Sequence, residues 1–217
     1  MIGTNDKVKQ YVETSKDPWG LKHAGAIPER VGLIRNCIGK SGLVLDVGSA
    51  FGIYSDFLRS MGNLVVALDA SRRMVSEGGK KFGMVNFALG SGEAIPFQDE
   101  TFNAVLCMGT LIYSDNREKF LSEIYRTLRR RGRLCLIERN RSSPIHAILG
   151  KMKRNEKSVD NPQAYFIKSE LEGLLKKAGF KIRRIRGDQI YLPFSLSLKT
   201  ERFPSLSYFL VFECEKE

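Results

Sequence analysis

The sequence predicts an α/β protein in which helices cover both faces of a doubly wound, mostly parallel sheet of about seven strands. Short apolar runs of strand length alternate along the chain with longer segments whose apolar residues recur at helical spacing. The first of these runs, 44–47, passes through a turn of small residues directly into a helix. Such an alternation, with such a turn after the first strand, is typical of the doubly wound class.

The first half of the chain contains clear signals for helix starts and ends. Pro28 suits a first helical turn, Ser71 suits a helix cap, and Gly62 stops the helix that follows the first strand. The predicted helices of this half cover 5–16, 28–37, 52–61 and 71–81, and the predicted strands cover 44–47, 64–69, 85–89 and 102–108.

The second half continues the pattern with two interruptions. The predicted helices cover 117–130 and 168–178, and the predicted strands cover 134–138, 180–185 and 208–213. Residues 140–167, which follow the fifth strand, are the least periodic part of the chain. A loop rich in Leu, Phe and Ser follows the sixth strand, from 188 to 204.

Composition places the chain among soluble proteins. Its 217 residues, 42% of them hydrophobic and 27% charged, fit a single domain spanning 1–217 with a substantial core. No apolar run approaches the roughly 20 residues that cross a bilayer, and residues 1–10 lack the apolar stretch of a secretory signal. We therefore expect a cytoplasmic protein without a transmembrane helix.

The cysteines predict neither a metal site nor disulfides. Cys37, Cys107, Cys135 and Cys214 lie far apart in the sequence and form no C-x-x-C pair. Two of them fall within predicted buried strands, so we expect small core residues or idle thiols.

The formal net charge of +11 is concentrated in the second half of the chain. Residues 126–157 hold 11 Lys/Arg and 2 Asp/Glu, and residues 176–186 hold 6 Lys/Arg and no acid. Many of these residues precede the fifth and sixth strands, whereas ligands of a doubly wound sheet bind at the carboxyl ends of the strands. A solvated basic face explains this charge, and binding to RNA, to an anionic membrane surface or to an acidic substrate is the alternative.

The small-residue turn after the first strand is the best candidate for a cofactor site. Gly48, Ala50 and Gly52 let the backbone approach a ligand, and the following helix directs unpaired N–H groups toward it. Asp69 ends the second strand, where a carboxylate accepts hydrogen bonds from the ribose hydroxyls of an adenosine. A dinucleotide site requires G-x-G-x-x-G, and the bulk of Ile53 would crowd a pyrophosphate, so the spacing points away from NAD.

At these residues the sequence resembles the class I S-adenosylmethionine-dependent methyltransferases, in the small single-domain form similar to the ubiquinone and menaquinone methyltransferases. The resemblance covers roughly 43–180. Asp46, Gly48 and Gly52 match the first motif, in which Ala50 replaces the middle glycine. The stretch 90–105 resembles the adenine-binding loop and fourth strand, and 123–134 resembles the passage from the fourth helix to the fifth strand.

The resemblance implies a cofactor, a set of cofactor-binding residues and a strand order. The cofactor is S-adenosyl-L-methionine, with S-adenosyl-L-homocysteine as product. Ser91 stands where an aspartate facing the adenine is common, so a backbone N–H of Gly92 or Glu93 is an alternative contact to the ring. The last two strands are expected to form an antiparallel hairpin, with the last beside the fifth. The implied cofactor-binding residues are Asp46, Gly48, Ser49, Ala50, Gly52, Asp69, Ala70, Met74, Ser91, Gly92, Glu93, Met108 and Gly109.

The expected reaction is methyl transfer to a nucleophile held in line with the sulfonium, for which alignment matters more than a base. Tyr113 and His146 are the candidates for a catalytic side chain, although an aromatic pocket wall is the simpler role for Tyr113 and a surface or loop histidine the simpler role for His146. We expect a small-molecule or lipid-like acceptor, with RNA as the alternative. An NAD-dependent oxidoreductase and a non-catalytic cofactor-binding partner of another enzyme are the rival functions.

Two segments are expected to border the acceptor. Residues 140–167 follow the carboxyl end of the fifth strand and carry apolar residues at helical spacing, so we expect a partly helical cover over the acceptor pocket. Residues 1–40 are expected to form a helical lead whose Tyr11 and Trp19 join that cover.

Overall fold

A computed structural model describes residues 28–143, 165–191, 197–199 and 204–217. The predicted helix at 5–16, the contacts expected of Tyr11 and Trp19, and residues 144–164 of the expected acceptor cover lie outside the described residues. The strands, in chain order, are β1 (Leu43–Val47), β2 (Leu64–Asp69), β3 (Asn86–Leu89), β4 (Phe102–Met108), β5 (Leu128–Arg139), β6 (Phe180–Gly187), β7 (Gln189–Tyr191), β8 (Ser197–Lys199) and β9 (Phe209–Lys216).

Within the described residues, seven of these strands form one sheet in the order β3-β2-β1-β4-β5-β9-β6. The pairs from β3 to β5 are parallel, and β9 pairs antiparallel with both β5 and β6. The doubly wound class is therefore confirmed, and so is the terminal hairpin with its last strand inserted beside the fifth.

Helices cover both faces of this sheet. They are α1 (Pro28–Cys37), α2 (Ile53–Ser60), α3 (Arg72–Lys81), α4 (Arg117–Thr127) and α5 (Lys168–Lys177), with 3-10 turns at Leu111–Tyr113 and Pro204–Leu206. Leu58 of α2 packs with α1 in one apolar layer, and Phe120 of α4 packs with Leu171 of α5 in the other. The two layers bury alternate residues of the central strands, which explains why these strands are apolar throughout.

The caps follow the sequence signals. The Ser71 hydroxyl accepts the Met74 N–H at the start of α3, and the Asn116 side chain accepts the Lys119 N–H at the start of α4. Gly52 precedes α2 with φ of 80°, in the left-handed region. Each cap fixes a helix start beside the carboxyl end of a parallel strand.

The boundary between α4 and β5 was predicted wrongly. The helix ends at Thr127 rather than 130, and the strand begins at Leu128 rather than 134. Leu128 pairs with Phe102 of β4, and an irregularity then brings Arg133 opposite Ala104. Arg131 adopts a φ of 59° within this irregularity, which a regular helix does not allow.

The loop after β6 also contains structure that the sequence did not indicate. Gln189 to Tyr191 pair antiparallel with Ser197 to Lys199 in a separate two-stranded sheet. All four cysteines are buried and free, as expected of core thiols. In the ranges that the structure describes, each helix is too short or too polar to cross a bilayer.

Candidate cofactor site

In the turn after β1, every second residue has a left-handed backbone conformation. Gly48, Ala50 and Gly52 have φ values of 72°, 49° and 80°. A Cβ on Gly48 would overlap the Thr110 side chain, and one on Gly52 would overlap the ring of Phe87. Glycine is therefore required at 48 and 52 by both conformation and space, whereas at 50 alanine accepts the left-handed conformation.

Asp69 joins this turn to the end of β2. Its Oδ2 accepts the N–H of Ala50 at 2.8 Å, and its Oδ1 accepts the N–H of Ser71 at 2.9 Å. The carboxylate is partly exposed, and Ala70 beside it is exposed. Each carboxylate oxygen offers two lone pairs, so one backbone hydrogen bond does not by itself saturate either oxygen of Asp69.

Asp46 lies beneath the turn. It is 3% exposed, and its Oδ2 accepts the Ser55 hydroxyl of α2 at 2.6 Å. Burial raises the pKa of Asp46 to about 7, with the Ser55 hydrogen bond opposing the rise and the Asp69 charge adding to it. Asp46 thus fixes the helix that follows the turn from below.

The loop after β3 is braced from the opposite side of the site. Glu93 Oε1 accepts the Ser114 hydroxyl at 2.6 Å and the N–H groups of Asp115 and Asn116 at 2.9 and 3.2 Å. Partial burial would raise the pKa of Glu93, but these hydrogen bonds hold it below its usual value. The Glu93 N–H donates to the Ser91 hydroxyl at 3.1 Å. Glu93 is therefore engaged within the protein through both its side chain and its amide, so of the two backbone amides predicted to contact adenine, that of Gly92 remains the candidate.

Arg126 of α4 holds the other end of the same loop. Its guanidinium donates to the Ile95 and Phe97 carbonyls at 3.0 and 2.8 Å and makes ion pairs with Glu123 and Asp99. Glu123 in turn accepts the Ile95 N–H at 2.9 Å. Hydrogen bonds with Glu123 and Asp99 raise the pKa of Arg126 further above its usual range, so this clamp keeps its charge.

The turn after β4 completes the site. Gly109 has a φ of 63°, and a Cβ placed there would meet nothing within 4 Å. The Thr110 hydroxyl lies 3.2 Å from the carbonyl oxygens of both Val47 and Met108, and its contact with Val47 links this turn to the end of β1. Glu138 of β5 accepts the N–H groups of Thr110 and Leu111 at 3.0 and 2.8 Å. The turns after β1 and β4 are thus locked together, with open space beside Gly109.

These features fit S-adenosylmethionine. The Ser49 hydroxyl is buried in the turn and has no partner among the described residues, as a donor awaiting a ligand would be. The open space beside Gly109 can accommodate the amino-acid end of the cofactor. The carboxylate of Asp69, at the edge of the sheet, can accept hydrogen bonds from its ribose. Met74 was also predicted to bind the cofactor, but it is 1% exposed and packs in the protein interior.

The two catalytic candidates have different outcomes. Tyr113 lies in the 3-10 turn after β4, partly buried against the core. His146 lies outside the described residues. Sequence reasoning missed the bracing roles of Thr110 and Arg126, which depend on contacts between distant segments.

The ends of the expected acceptor cover meet at the carboxyl end of β5. Asn140 forms a parallel bridge with Phe166, and the Phe166 N–H donates to the Arg139 carbonyl at 3.1 Å. The buried Asn140 amide donates to the Pro204 and Ser207 carbonyls at 3.1 and 2.9 Å. The segments that follow β5 and β6 therefore come together at the ligand edge of the sheet.

Comparison with known proteins identifies the domain. Residues 45–136 match the protein family described as Methyltransferase domain. The chain is 29% identical over 128 residues to an uncharacterised methyltransferase-like protein of Schizosaccharomyces pombe, covering 56% of this chain and 50% of that protein. It is 34% identical over 95 residues to demethylmenaquinone methyltransferase of Renibacterium salmoninarum, covering 44% and 40%. The chain thus spans about half the length of the curated relatives it matches.

A solved structure shows the same fold over nearly the whole chain. An S-adenosylmethionine-dependent methyltransferase from Thermotoga maritima superposes with a TM-score of 0.75 at 24% identity, over 96% of this chain and 98% of that one. The family match, the relatives and this superposition agree with one another, and each of them is with methyltransferases. Residues 45–136 therefore belong to a methyltransferase domain, and the fold of the chain is that of a solved S-adenosylmethionine-dependent methyltransferase.

Proposed function

We propose that the protein transfers a methyl group from S-adenosylmethionine to a small-molecule or lipid-like acceptor. The observation that carries this proposal is the hydrogen bond from Ala50 to Asp69, which sets a carboxylate against the left-handed turn at the ligand edge of the sheet. When bound, S-adenosylmethionine supplies an electrophilic methyl group, and an acceptor lone pair takes that group while the sulfonium becomes a neutral thioether.

The residues of the two turns would hold the donor. Asp69 would accept the ribose hydroxyls, Ser49 and the turn 48–52 would contact the amino-acid end, and Gly109 would leave room for it. Gly92 would face the adenine with its backbone N–H. Such placement contributes mainly through alignment of the methyl group with the acceptor, which is a large effect in methyl transfer.

The distribution of charge supports a small acceptor over RNA. Arg129, Arg130 and Arg131 are exposed at the start of β5, whereas Glu138 lies near its carboxyl end. At about 3.3 Å per residue, seven residues of strand separate Arg131 from Glu138 by roughly 20 Å. An RNA held by this basic run would therefore lie away from the donor site.

The relatives also support a small or lipid-like acceptor. They include proteins named demethylmenaquinone methyltransferase and malonyl-[acyl-carrier protein] O-methyltransferase. The segments after β5 and β6, which meet at Asn140, would border the acceptor, with Tyr113 as a wall of its pocket.

Two measurements test the proposal. Calorimetric titration should show binding of S-adenosylmethionine and S-adenosylhomocysteine and none of NADH; the reverse preference would overturn it. The protein is then incubated with methyl-labelled donor and a cell extract. Label recovered in the organic-soluble or small-molecule fraction supports the proposed acceptor class, and nuclease-sensitive label supports RNA. Donor binding without transfer to any fraction would favour a non-catalytic partner protein.

A further inference from the structure

Glu138 is a carboxyl group in an apolar layer. It is 0% exposed and is the penultimate residue of β5. Side chains alternate along a strand, so Glu138 shares its face with Leu134 and Leu136, which pack beneath α4 and α5. An ionisable group in such a layer is destabilising unless it satisfies other buried polar groups.

The groups that Glu138 satisfies belong to the turn after β4. Its Oε1 accepts both the Thr110 and the Leu111 N–H. Thr110 precedes the 3-10 turn and Leu111 begins it, so neither of their N–H groups has a partner within the turn itself. A strand residue 28 positions away from Thr110 thus acts as the cap of this turn.

Thr110 also contacts the turn after β1. Its hydroxyl contacts the Val47 carbonyl, and its side chain fills the space where a Cβ on Gly48 would lie. The contacts from Glu138 through Thr110 to Gly48 therefore fix the separation of the two turns that face the donor.

We propose that Glu138 is a positioning residue of the methyltransferase reaction, which sets the gap between the Gly48 and Gly109 turns and thereby the place of the donor's amino-acid end. The inference rests on the proposed function. Glu138 acts through Thr110 and does not touch the donor itself.

The two carboxyl oxygens of Glu138 differ in their environment. Oε2 has no hydrogen-bond partner in the part of the chain that the structure describes. Burial raises the pKa of Glu138 to about 8, against the Thr110 and Leu111 hydrogen bonds and the charges of Arg139 and Arg117. The neighbouring Cys107 thiol on β4 stays neutral, because burial and the charges of Glu138 and Asp46 raise its pKa.

A cationic donor bound nearby favours the ionised form of Glu138. Donor binding should therefore tighten as the pH rises through about 8, with release of the Glu138 proton to the solvent. Glutamine at 138 can accept the same two N–H groups but cannot titrate, so it separates position from charge.

The test compares Glu138→Gln and Glu138→Ala with the wild type, with Glu215→Gln as the control. Glu215 lies on β9 and pairs with exposed Arg183. We expect Glu138→Gln to bind the donor within about threefold of the wild type at pH 6.5 and to lose the wild-type change in affinity between pH 7 and 9. Glu138→Ala should weaken donor binding about tenfold or more at pH 6.5, and Glu215→Gln should change neither.

The inference is overturned if folded Glu138→Ala binds the donor as the wild type does, or if Glu138→Gln keeps the wild-type pH profile. If Glu138→Ala does not fold, Thr110→Val tests the same contacts, because this substitution removes the hydroxyl contact with Val47 and preserves side-chain volume. An unchanged affinity of Thr110→Val for the donor would also contradict the inference. A wild-type protein that binds neither donor nor product overturns the proposed function as well, so the two failures are distinguishable.

Discussion

The carboxylate of Glu93 lies 2.6 Å from the hydroxyl of Ser114, and this bond joins the loop after β3 to the segment that leads into α4. Two further hydrogen bonds from Asp115 and Asn116 converge on the same carboxylate oxygen. The loop that would face adenine and the segment after β4 are therefore held as one unit.

Glu93→Ala should lower the free energy of unfolding by about 1 to 3 kcal/mol, because it leaves three donors without their shared acceptor. Urea unfolding measures the change, and donor affinity should fall with it as the loop loosens. Glu118→Ala is the control, since its exposed pair with Lys177 contributes about 0 to 1 kcal/mol. Equal losses in the two variants would show that the Glu93 brace is unimportant.

Asp69→Ala should weaken donor binding by roughly 2 to 3 kcal/mol through loss of charge-assisted hydrogen bonds to the ribose. Because Asp69 also accepts the Ala50 and Ser71 N–H groups, a modest loss of stability should accompany it. Asp69→Asn retains one acceptor and should fall between the wild type and Asp69→Ala. Calorimetry at equal folded concentration decides; an unchanged dissociation constant in Asp69→Ala would remove this residue from the site.

Gly48→Ala and Gly109→Ala separate backbone strain from steric overlap. Both positions have positive φ, but only at Gly48 would a Cβ meet another side chain, that of Thr110. Gly109→Ala should therefore lose about 1 to 2 kcal/mol of stability, and Gly48→Ala about 1 to 3 kcal/mol more. Thermal and urea unfolding give both values. Similar losses would mean that the two turns are not in contact in solution.

Stability should fall as the pH rises from about 4 to about 7 because of Asp46. The pKa of Asp46 in the folded protein, about 7, exceeds its ordinary value of 3.8, so the fold favours the protonated form. The contribution is fully present below pH 3.8 and is lost as the pH rises through about 7. Asp46→Asn should be less sensitive to pH in this window. A wild-type curve parallel to that of Asp46→Asn would contradict the assignment.

Replacing Arg130 by Gln together with Arg131 by Asn should reduce binding to polyanions and leave methylation of a small acceptor unchanged. Asn suits the left-handed backbone at 131, so the pair tests charge rather than fold. The salt concentration needed for elution from heparin measures the first effect, and methyl-transfer rate the second. If both fall together, the basic run serves the acceptor, and RNA becomes the favoured substrate.

Local signals predicted the elements of this fold because their causes lie within a few residues. Ser71 caps α3 through the N–H of a residue three positions away, and apolar spacing alone indicates the helix that follows. The boundary at Leu128 could not be predicted in this way. Its strand geometry depends on pairing with Phe102, a partner from another strand.

The candidate site likewise has a part that the sequence predicts and a part that it does not. The spacing of Gly48, Gly52 and Asp69 is visible in the sequence because a single strand-helix-strand unit contains all three. The braces are not visible, since Arg126 meets the Ile95 carbonyl from 31 positions away and Glu138 meets Thr110 from 28. A buried acid at the end of an apolar strand was the one available signal, and it does not identify a partner.

The place of β9 in the sheet has a consequence for how the chain folds. Phe212 pairs with Leu136 on one side and with Ile185 on the other, so among the described strands β6 joins the sheet through β9 alone, a strand that is synthesised after it. Pairing between such distant residues is slow, and until it occurs β5 presents an apolar edge. A chain interrupted before Phe209 would retain that edge, and we expect it to aggregate rather than to leave a smaller working enzyme.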